Sequence, residues 1–288
     1  MTPTIGIAGT GRMGTAFARR LIETGHTVRV WNRNPDRTTA AVAAGATATD
    51  LAGLAGCDVI VMSLTDADAS GAVLDVLISS GISGRLIVDT STVLPAEAGD
   101  LAARATAAGA DFVDCPVGGT VAPALKGQLL GMAGGTDAAF DRARPVLDAL
   151  CRRVEHIGPA GSGARMKLAV NLPLATYWQT LGESLALLRG AGIAPELAIS
   201  LIADSSAGPT VLKNRSQVVI DTLKGTDQPG TFDIAGLAKD LHLALALAAT
   251  EGVTLPLAEA ARDRYAAVKA AGLGRFDGAS LARFTAEA

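Results

Sequence analysis

The stretch IGIAGTGRMG, residues 5–14, decides how this chain starts to fold. Its first four residues are apolar or small and predict a short buried strand, and a helix is predicted over residues 13–23. The three glycines between them form a G-x-G-x-x-G motif, in which they allow a tight turn, close backbone approach to a pyrophosphate, and close packing of helix on strand. A glycine-rich turn at a helix N-terminus predicts a dinucleotide-binding loop. The residues predicted to line the cofactor are Gly9, Thr10, Gly11, Arg12, Met13 and Gly14.

The residues after the second predicted strand, 28–31, bear on which dinucleotide binds. Enzymes that use NAD commonly have Asp or Glu there to hold the ribose 2′-hydroxyl, whereas this chain has Asn32 and Arg33. A guanidinium matches a 2′-phosphate in charge and in fork geometry, so the sequence predicts NADP while leaving NAD open. The alternative is that Arg33 is an ordinary loop cation and Asp36 holds the ribose.

Short apolar runs alternate with helical stretches in the first half of the chain only. This alternation predicts a Rossmann-type α/β domain, residues 1–161, with a parallel sheet covered by helices on both faces. No strand signal follows, so residues 162–288 are predicted to form an all-helical domain, entered through a long interdomain helix that Pro173 should kink. The predicted strands are 5–8, 28–31, 59–62, 86–88, 112–113 and 129–132, and the predicted helices are 13–23, 36–44, 67–79, 96–108, 163–189, 196–203, 211–223, 234–250 and 257–270.

The composition argues against several classes of partner. A net charge of −3 provides no basic surface for nucleic acid, and the longest apolar run, residues 241–249, is too short for a membrane span. No basic leader precedes the first strand. The three cysteines are odd in number and widely spaced, which fits neither a disulfide framework nor a metal site. We therefore expect a cytoplasmic protein with reduced thiols and no metal, nucleic-acid or membrane partner.

Two segments that follow predicted strands could hold a small substrate. The first, DTST at residues 89–92, places the hydroxyls of Ser91 and Thr92 after a strand, although either could simply cap a helix. The second contains Gly118, Gly119 and Thr120, whose consecutive amides could form a nest for a small carboxylate, although a plain turn is the simpler explanation of the glycines taken alone.

Lys167 and Asn171 are the residues most able to specify a reaction. They lie four residues apart in GSGARMKLAVN, residues 161–171, and therefore on one face of the predicted long helix. A lysine in a closing cleft could exchange a proton with a substrate oxygen, with the amide orienting that substrate. The alternative is that Lys167 is a solvated helical lysine. The three histidines lie in or beside apolar segments and are interpreted as structural.

Taken together, these motifs resemble the β-hydroxyacid dehydrogenase family, the group related to 3-hydroxyisobutyrate dehydrogenase. The resemblance covers essentially the whole chain, and five motifs occur in the family's order. They are residues 9–14, DTST at 89–92, DCPVGGT at 114–120, the segment 161–171 and KDLHLA at 239–244.

The resemblance implies a role for each matching position. Lys167 would be the general acid/base, and Asn171, Ser91, Gly118, Gly119 and Thr120 would bind substrate. Enzymes of this family typically form dimers or tetramers through the helical domain. The further cofactor contacts implied are Leu64, Thr65, Thr92 and Lys239, in addition to the glycine loop, Asn32 and Arg33.

Departures from the family pattern leave the substrate open. The family often has Ser-Gly-Gly where this chain has Gly118-Gly119-Thr120, and a second Asn where Leu172 and then Pro173 follow. The leading expectation is an NADP-dependent enzyme that interconverts a small 3-hydroxy acid and its semialdehyde or keto form. One alternative is an NADPH-dependent imine reductase, whose members usually replace this lysine. The other is a non-enzymatic NADP-binding scaffold.

Overall fold

The structure is a computed structural model that describes residues 3–288. Nine strands in the first part of the chain form one sheet. They are β1 (Ile5–Ala8), β2 (Val28–Trp31), β3 (Thr47–Ala48), β4 (Val59–Met62), β5 (Leu86–Asp89), β6 (Asp111–Asp114), β7 (Val117–Gly118), β8 (Leu129–Gly135) and β9 (Cys151–Gly158).

The strand order is β3-β2-β1-β4-β5-β6-β8-β7, with β9 paired to β8. The first six strands in the chain pair in parallel, β8 runs antiparallel to β6 and β7, and β9 runs parallel to β8. All six predicted strands are present, and the predicted Rossmann-type fold is confirmed; the antiparallel part is an addition. The sequence did not predict β3, β7 or β9. Two-residue strands carry no periodic signal, and most residues of β9 are exposed or half-buried.

Twelve α-helices complete the described chain, and two short 3₁₀ helices lie at Pro35–Thr38 and Ala52–Gly56. The helices are α1 (Arg12–Glu23), α2 (Thr39–Ala43), α3 (Ala67–Ser79), α4 (Pro95–Ala107), α5 (Val121–Leu125), α6 (Asp137–Leu150), α7 (Ser162–Ala186), α8 (Pro195–Asp204), α9 (Thr210–Leu223), α10 (Ile234–Thr250), α11 (Pro256–Ala270) and α12 (Gly278–Glu287).

Most predicted helices form close to their predicted bounds, and α7 continues through Pro173 as one helix. The sequence did not predict α5, α6 or α12. Pro145 within α6 argues against a helix, yet six side chains of α6 are buried, among them Phe140 and Leu147. Their burial outweighs the lost backbone hydrogen bond.

The central strands are buried on both faces, as expected of a parallel sheet. In β4, Val59 and Val61 contribute to the core under α1 and α6, whereas Ile60 and Met62 contribute to the core under α3 and α4. The alternation of side chains along each strand thus builds two cores from one sheet. The sheet holds the carboxyl ends of β1, β2, β4 and β5 along one edge.

The chain divides into two compact units, Met1–Lys167 and Leu168–Ala288. The second unit is helical and has its own core, in which Tyr265 Oη donates to Ala175 O at 3.0 Å. The division falls inside α7, just beyond the predicted boundary after Gly161. No helix among residues 3–288 is both long and apolar enough to span a membrane. In the same range, no group of three or more His, Cys, Asp or Glu residues is arranged so that it could hold a metal ion.

Candidate active site

The glycine loop between β1 and α1 has the geometry that a dinucleotide requires. Gly9 has a φ of +100°, and a Cβ there would lie 2.4 Å from Ser63 O, so only glycine fits. A Cβ on Gly14 would lie 1.9 Å from Gly9 O, which explains the close packing of α1 on this turn. Gly11 has no neighbour within 4 Å of such a Cβ. Its backbone is therefore open to a phosphate at the helix N-terminus.

Two features of the loop fit a bound dinucleotide. Gly11 precedes α1 without a capping side chain, so amides of the first helical turn have no side-chain acceptor from the N-cap. Thr10 Oγ1 is buried and has no hydrogen-bond partner among residues 3–288. Unsatisfied donors of this kind suit an anionic ligand.

Asn32 and Arg33 lie beside this loop, because Gly9 N donates to Trp31 O at 2.9 Å. Asn32 Oδ1 accepts from Asn34 N at 3.0 Å, which turns the chain directly after β2. Arg33 is exposed in that turn, while Asp36 follows in the 3₁₀ helix. The guanidinium is thus closer in sequence to the strand end than the carboxylate.

Ser91, which follows β5, is hydrogen-bonded to the segment that follows β4. Its Oγ accepts from Leu64 N at 3.1 Å and from Ser70 Oγ at 3.2 Å, and its own amide donates to Asp89 Oδ1 at 3.0 Å. Burial raises the pKa of Asp89. Ser91 therefore supports the segment of Leu64 and Thr65, which were predicted to line the cofactor. The substrate contact predicted for Ser91 stays a prediction, and the neighbouring Thr92 is half-buried.

The glycine pair after β6 forms a turn with an accessible backbone. Gly118 ends β7, and Gly119 is exposed with a φ of +122°. A Cβ on Gly119 would lie 2.7 Å from Leu129 Cδ2, whereas one on Gly118 would make only ordinary contact, 3.5 Å from Leu130 Cβ. Thr120 then precedes α5 and makes no side-chain capping bond.

Lys167 contacts this same segment. The residue is buried, with only 8% of its surface exposed, and its Nζ donates to Val117 O at 2.9 Å. Val117 is the residue directly before Gly118. The structure therefore brings Lys167 and the predicted carboxylate nest together, although 50 residues separate Lys167 from Val117 in the sequence. A solvated lysine, the alternative interpretation, is excluded by this burial.

Asn171 lies one helical turn after Lys167 and is held by a carboxylate of the helical unit. Its Nδ2 donates to Asp240 Oδ2 at 2.6 Å, and both residues are buried. Lys239 Nζ lies 3.2 Å from Asp240 Oδ1, near enough for an ion pair but outside hydrogen-bond geometry. The sequence interpretation missed Asp240. Its place beside Lys239 in KDLHLA was the available signal.

Asp114 is a second residue that sequence reasoning did not single out. Its Oδ1 accepts from Gly161 N at 2.7 Å, and its Oδ2 accepts from Ala164 N at 2.8 Å. Burial raises its pKa to about 6, against the opposing effect of these two hydrogen bonds. The carboxylate thus lies at the start of the helix that carries Lys167.

Comparisons with known proteins identify the family of this chain. A family model of the NAD binding domain of 6-phosphogluconate dehydrogenase matches residues 4–158. A second model, NAD-binding of NADP-dependent 3-hydroxyisobutyrate dehydrogenase, matches residues 161–285. The chain is similar to glyoxylate/succinic semialdehyde reductase 1 from Arabidopsis thaliana, with 28% identity over 95% of each chain. It is similar to 3-sulfolactaldehyde reductase from Escherichia coli, with 31% identity over 96% of this chain and 94% of that one.

Solved structures of a hydroxyacid dehydrogenase and an imine reductase are also similar to this chain. The 3-hydroxyisobutyrate dehydrogenase of Mycobacterium tuberculosis, solved with L-serine, has a TM-score of 0.88 at 27% identity over 99% of both chains. An imine reductase from Myxococcus stipitatus, in complex with NADP+, has a TM-score of 0.63 at 25% identity over 98% of this chain and 99% of that one. The hydroxyacid dehydrogenase is thus the better structural match.

A dinucleotide loop on a Rossmann-type sheet, followed by a helix that carries a buried lysine, defines an oxidoreductase that uses NAD or NADP. The match of both family models and of relatives along the whole chain is more specific. The chain belongs to the β-hydroxyacid dehydrogenase family, as its sequence motifs predicted.

Proposed function

We propose that this enzyme interconverts a small 3-hydroxy acid and its semialdehyde or keto form, with NADP as the preferred cofactor and Lys167 as the general acid/base. The observation that carries the proposal is the 2.9 Å hydrogen bond from Lys167 Nζ to Val117 O. It holds an ammonium group directly beside the backbone of residues 118–120, so that one place offers a proton donor and amides for an acid group.

Each residue of this site has a chemical task. When bound, the nicotinamide ring supplies the hydride for reduction and accepts it in oxidation. Lys167 donates a proton to the carbonyl oxygen in reduction and removes the hydroxyl proton in oxidation. The amides of Gly118 to Thr120 bind the acid group and set its distance from Lys167. Asn171 is the proposed orienting residue, with its Nδ2 held by Asp240.

The substrates in the relatives' names support an acidic substrate. Succinic semialdehyde, 3-sulfolactaldehyde and 3-hydroxyisobutyrate all carry an acid group a few bonds from an aldehyde or hydroxyl carbon. This is the chemistry that a lysine beside a backbone anion site would recognise. Because residue 118 is glycine, it offers the acid group its backbone amide and no hydroxyl.

Replacing Lys167 tests the mechanism. We expect Lys167→Ala to lose about two to four orders of magnitude in kcat, the usual contribution of a general acid, with NADPH affinity unchanged. NADPH oxidation is measured with a panel of semialdehydes, keto acids and cyclic imines, and NADPH affinity by fluorescence titration. Near-normal turnover by the variant would overturn the role of Lys167. Turnover of cyclic imines alone would favour an imine reductase, and tight NADPH binding without any turnover would favour a non-enzymatic scaffold.

Replacing Arg33 tests the cofactor preference. Arg33 is exposed directly after β2, where its guanidinium can pair with a 2′-phosphate. We expect Arg33→Ala to weaken NADPH binding about tenfold or more while NADH binding changes by less than about twofold, since a charge-assisted hydrogen bond contributes about 1.5–3 kcal/mol. Asp36→Ala is the matched control, because it removes the carboxylate that the NAD alternative requires. Equal weakening of both cofactors by Arg33→Ala would refute the phosphate contact.

A further inference from the structure

The start of α7 is capped by a side chain from a distant part of the chain. Gly161, the residue before α7, has no side chain, so it cannot cap the helix in the usual way. Asp114 does so instead, from 47 residues earlier, by accepting from Gly161 N at 2.7 Å and from Ala164 N at 2.8 Å. Its carboxylate satisfies two donors of the helix start and lies at the positive end of the helix dipole.

Three glycines make this contact possible. A Cβ on Gly163 would lie 2.2 Å from Met132 O, and one on Gly134 would lie 2.5 Å from Asp114 Oδ1. Gly161 has a φ of +91°, and a Cβ there would lie 2.6 Å from Pro95 O. The start of α7 is therefore pressed against the ends of β6 and β8 with no space for side chains between them. Such an approach holds the helix start tightly.

The same segment that caps α7 also holds Lys167. Asp114 is followed three residues later by Val117, whose carbonyl oxygen accepts from Lys167 Nζ at 2.9 Å. Both Asp114 and Lys167 are buried, at 2% and 8% exposure. Two anchors on one short segment therefore fix where the helix begins and where its lysine points.

We propose that Asp114 is a positioning residue for Lys167: by capping α7 from β6, its carboxylate holds Nζ beside Val117 and the amides of residues 118–120. Asp114 acts through the helix and does not take part in proton transfer itself. This inference rests on the proposed function of Lys167. A carboxylate with a purely structural task would stabilise the fold without any coupling to Lys167.

A double-mutant cycle tests the proposal. Asparagine matches Asp114 in size but accepts with one oxygen only, so Asp114→Asn leaves one of the two amides unsatisfied. We expect kcat to fall about 10–100-fold with the KM for NADPH unchanged, because small displacements of a catalytic group cost about that much. In the Lys167→Ala background, measured by single turnover, the same substitution should change the rate by less than about twofold.

Asp277→Asn is the matched control, because Asp277 is another buried carboxylate at a helix start. It is 2% exposed, and its Oδ1 accepts from Ala279 N at 3.2 Å to cap α12. We expect this variant to lower Tm and leave kcat unchanged. Should Asp114→Asn not be recovered folded, Asp114→Ser, which keeps one acceptor, takes its place in the cycle.

The outcomes separate this inference from the proposed function. Near-normal turnover by Lys167→Ala alone would refute the proposed function and, with it, the positioning role. A full loss in Lys167→Ala combined with an equal Asp114 effect in both backgrounds would refute the positioning role alone. An Asp114→Asn variant with the kcat of Asp277→Asn would refute it as well.

Discussion

Gly118 and Gly119 are adjacent glycines, but only one of them needs to be glycine for structural reasons. Gly119 has a φ of +122° and lies too close to Leu129 for a Cβ. Gly118 has space for a side chain, since its nearest neighbour would be Leu130 Cβ at 3.5 Å. The serine of the family pattern at this position is thus absent without any steric reason, and we interpret its absence as a feature that affects substrate choice.

Gly118→Ser tests this interpretation. We expect the free energy of unfolding to change by less than about 1 kcal/mol, and the KM for a small carboxylate substrate to fall about tenfold, since a hydrogen bond to a charged group contributes about 1.5–3 kcal/mol. The control Gly119→Ser should destabilise the protein by at least about 1–2 kcal/mol, the cost of a left-handed backbone for other residues. Urea unfolding and steady-state kinetics measure both effects. Unchanged KM values across a panel of acids would show that residue 118 does not face the substrate.

At the scale of single elements, α7 shows how a helix can depend on a residue far from it. Its periodicity and its lysine were evident in the sequence, and its start was predicted within one residue of Ser162. Its cap was not, because Asp114 belongs to β6 and approaches only when the sheet has formed. The sequence likewise did not predict α6. Pro145 argues against a helix there, and the helix is stabilised by buried side chains that only the packed structure shows.

The buried cap predicts a specific dependence of stability on pH. Burial raises the pKa of Asp114 from 3.8 to about 6, partly offset by the amides of Gly161 and Ala164, and Asp89 adds to the rise. The folded protein therefore binds this proton more tightly than the unfolded chain. The resulting stability is fully present below about pH 4 and is lost as the pH rises through about 6.

We expect Asp114→Asn to remove most of this dependence, which amounts to about 3 kcal/mol for a rise of the pKa from 3.8 to about 6. Urea unfolding of both proteins between pH 4 and pH 7 measures it. The pKa values of Asp89 and Asp277 are also raised by burial, so a residual slope should remain in the variant and the difference between the two proteins isolates Asp114. Parallel stability curves for the two proteins would contradict the assignment.

At the scale of the whole molecule, the chain forms two units: the first has a core on each face of its sheet, and the helical unit has a core of its own. The change from alternating strands and helices to helices alone predicted a Rossmann-type part followed by a helical part, and this fold class is confirmed. The predicted domain boundary after Gly161 stays a prediction. Several large apolar side chains of the helical unit are exposed, among them Leu187, Leu257 and Leu201. They are consistent with the predicted assembly of several copies, which stays a prediction.

Local spacing and short motifs were sufficient to predict the alternation of the longer strands and helices, the glycine loop, the position of Arg33 after β2, and the shared helical face of Lys167 and Asn171. The contacts that those groups make became known only from the folded chain. Lys167 donates a hydrogen bond to Val117 O, and Asn171 donates one to Asp240. The start of α7 donates to Asp114, which lies 47 residues before Gly161 in the chain. These contacts depend on strand order and on close approach through glycines, and neither has a periodic signature along the chain.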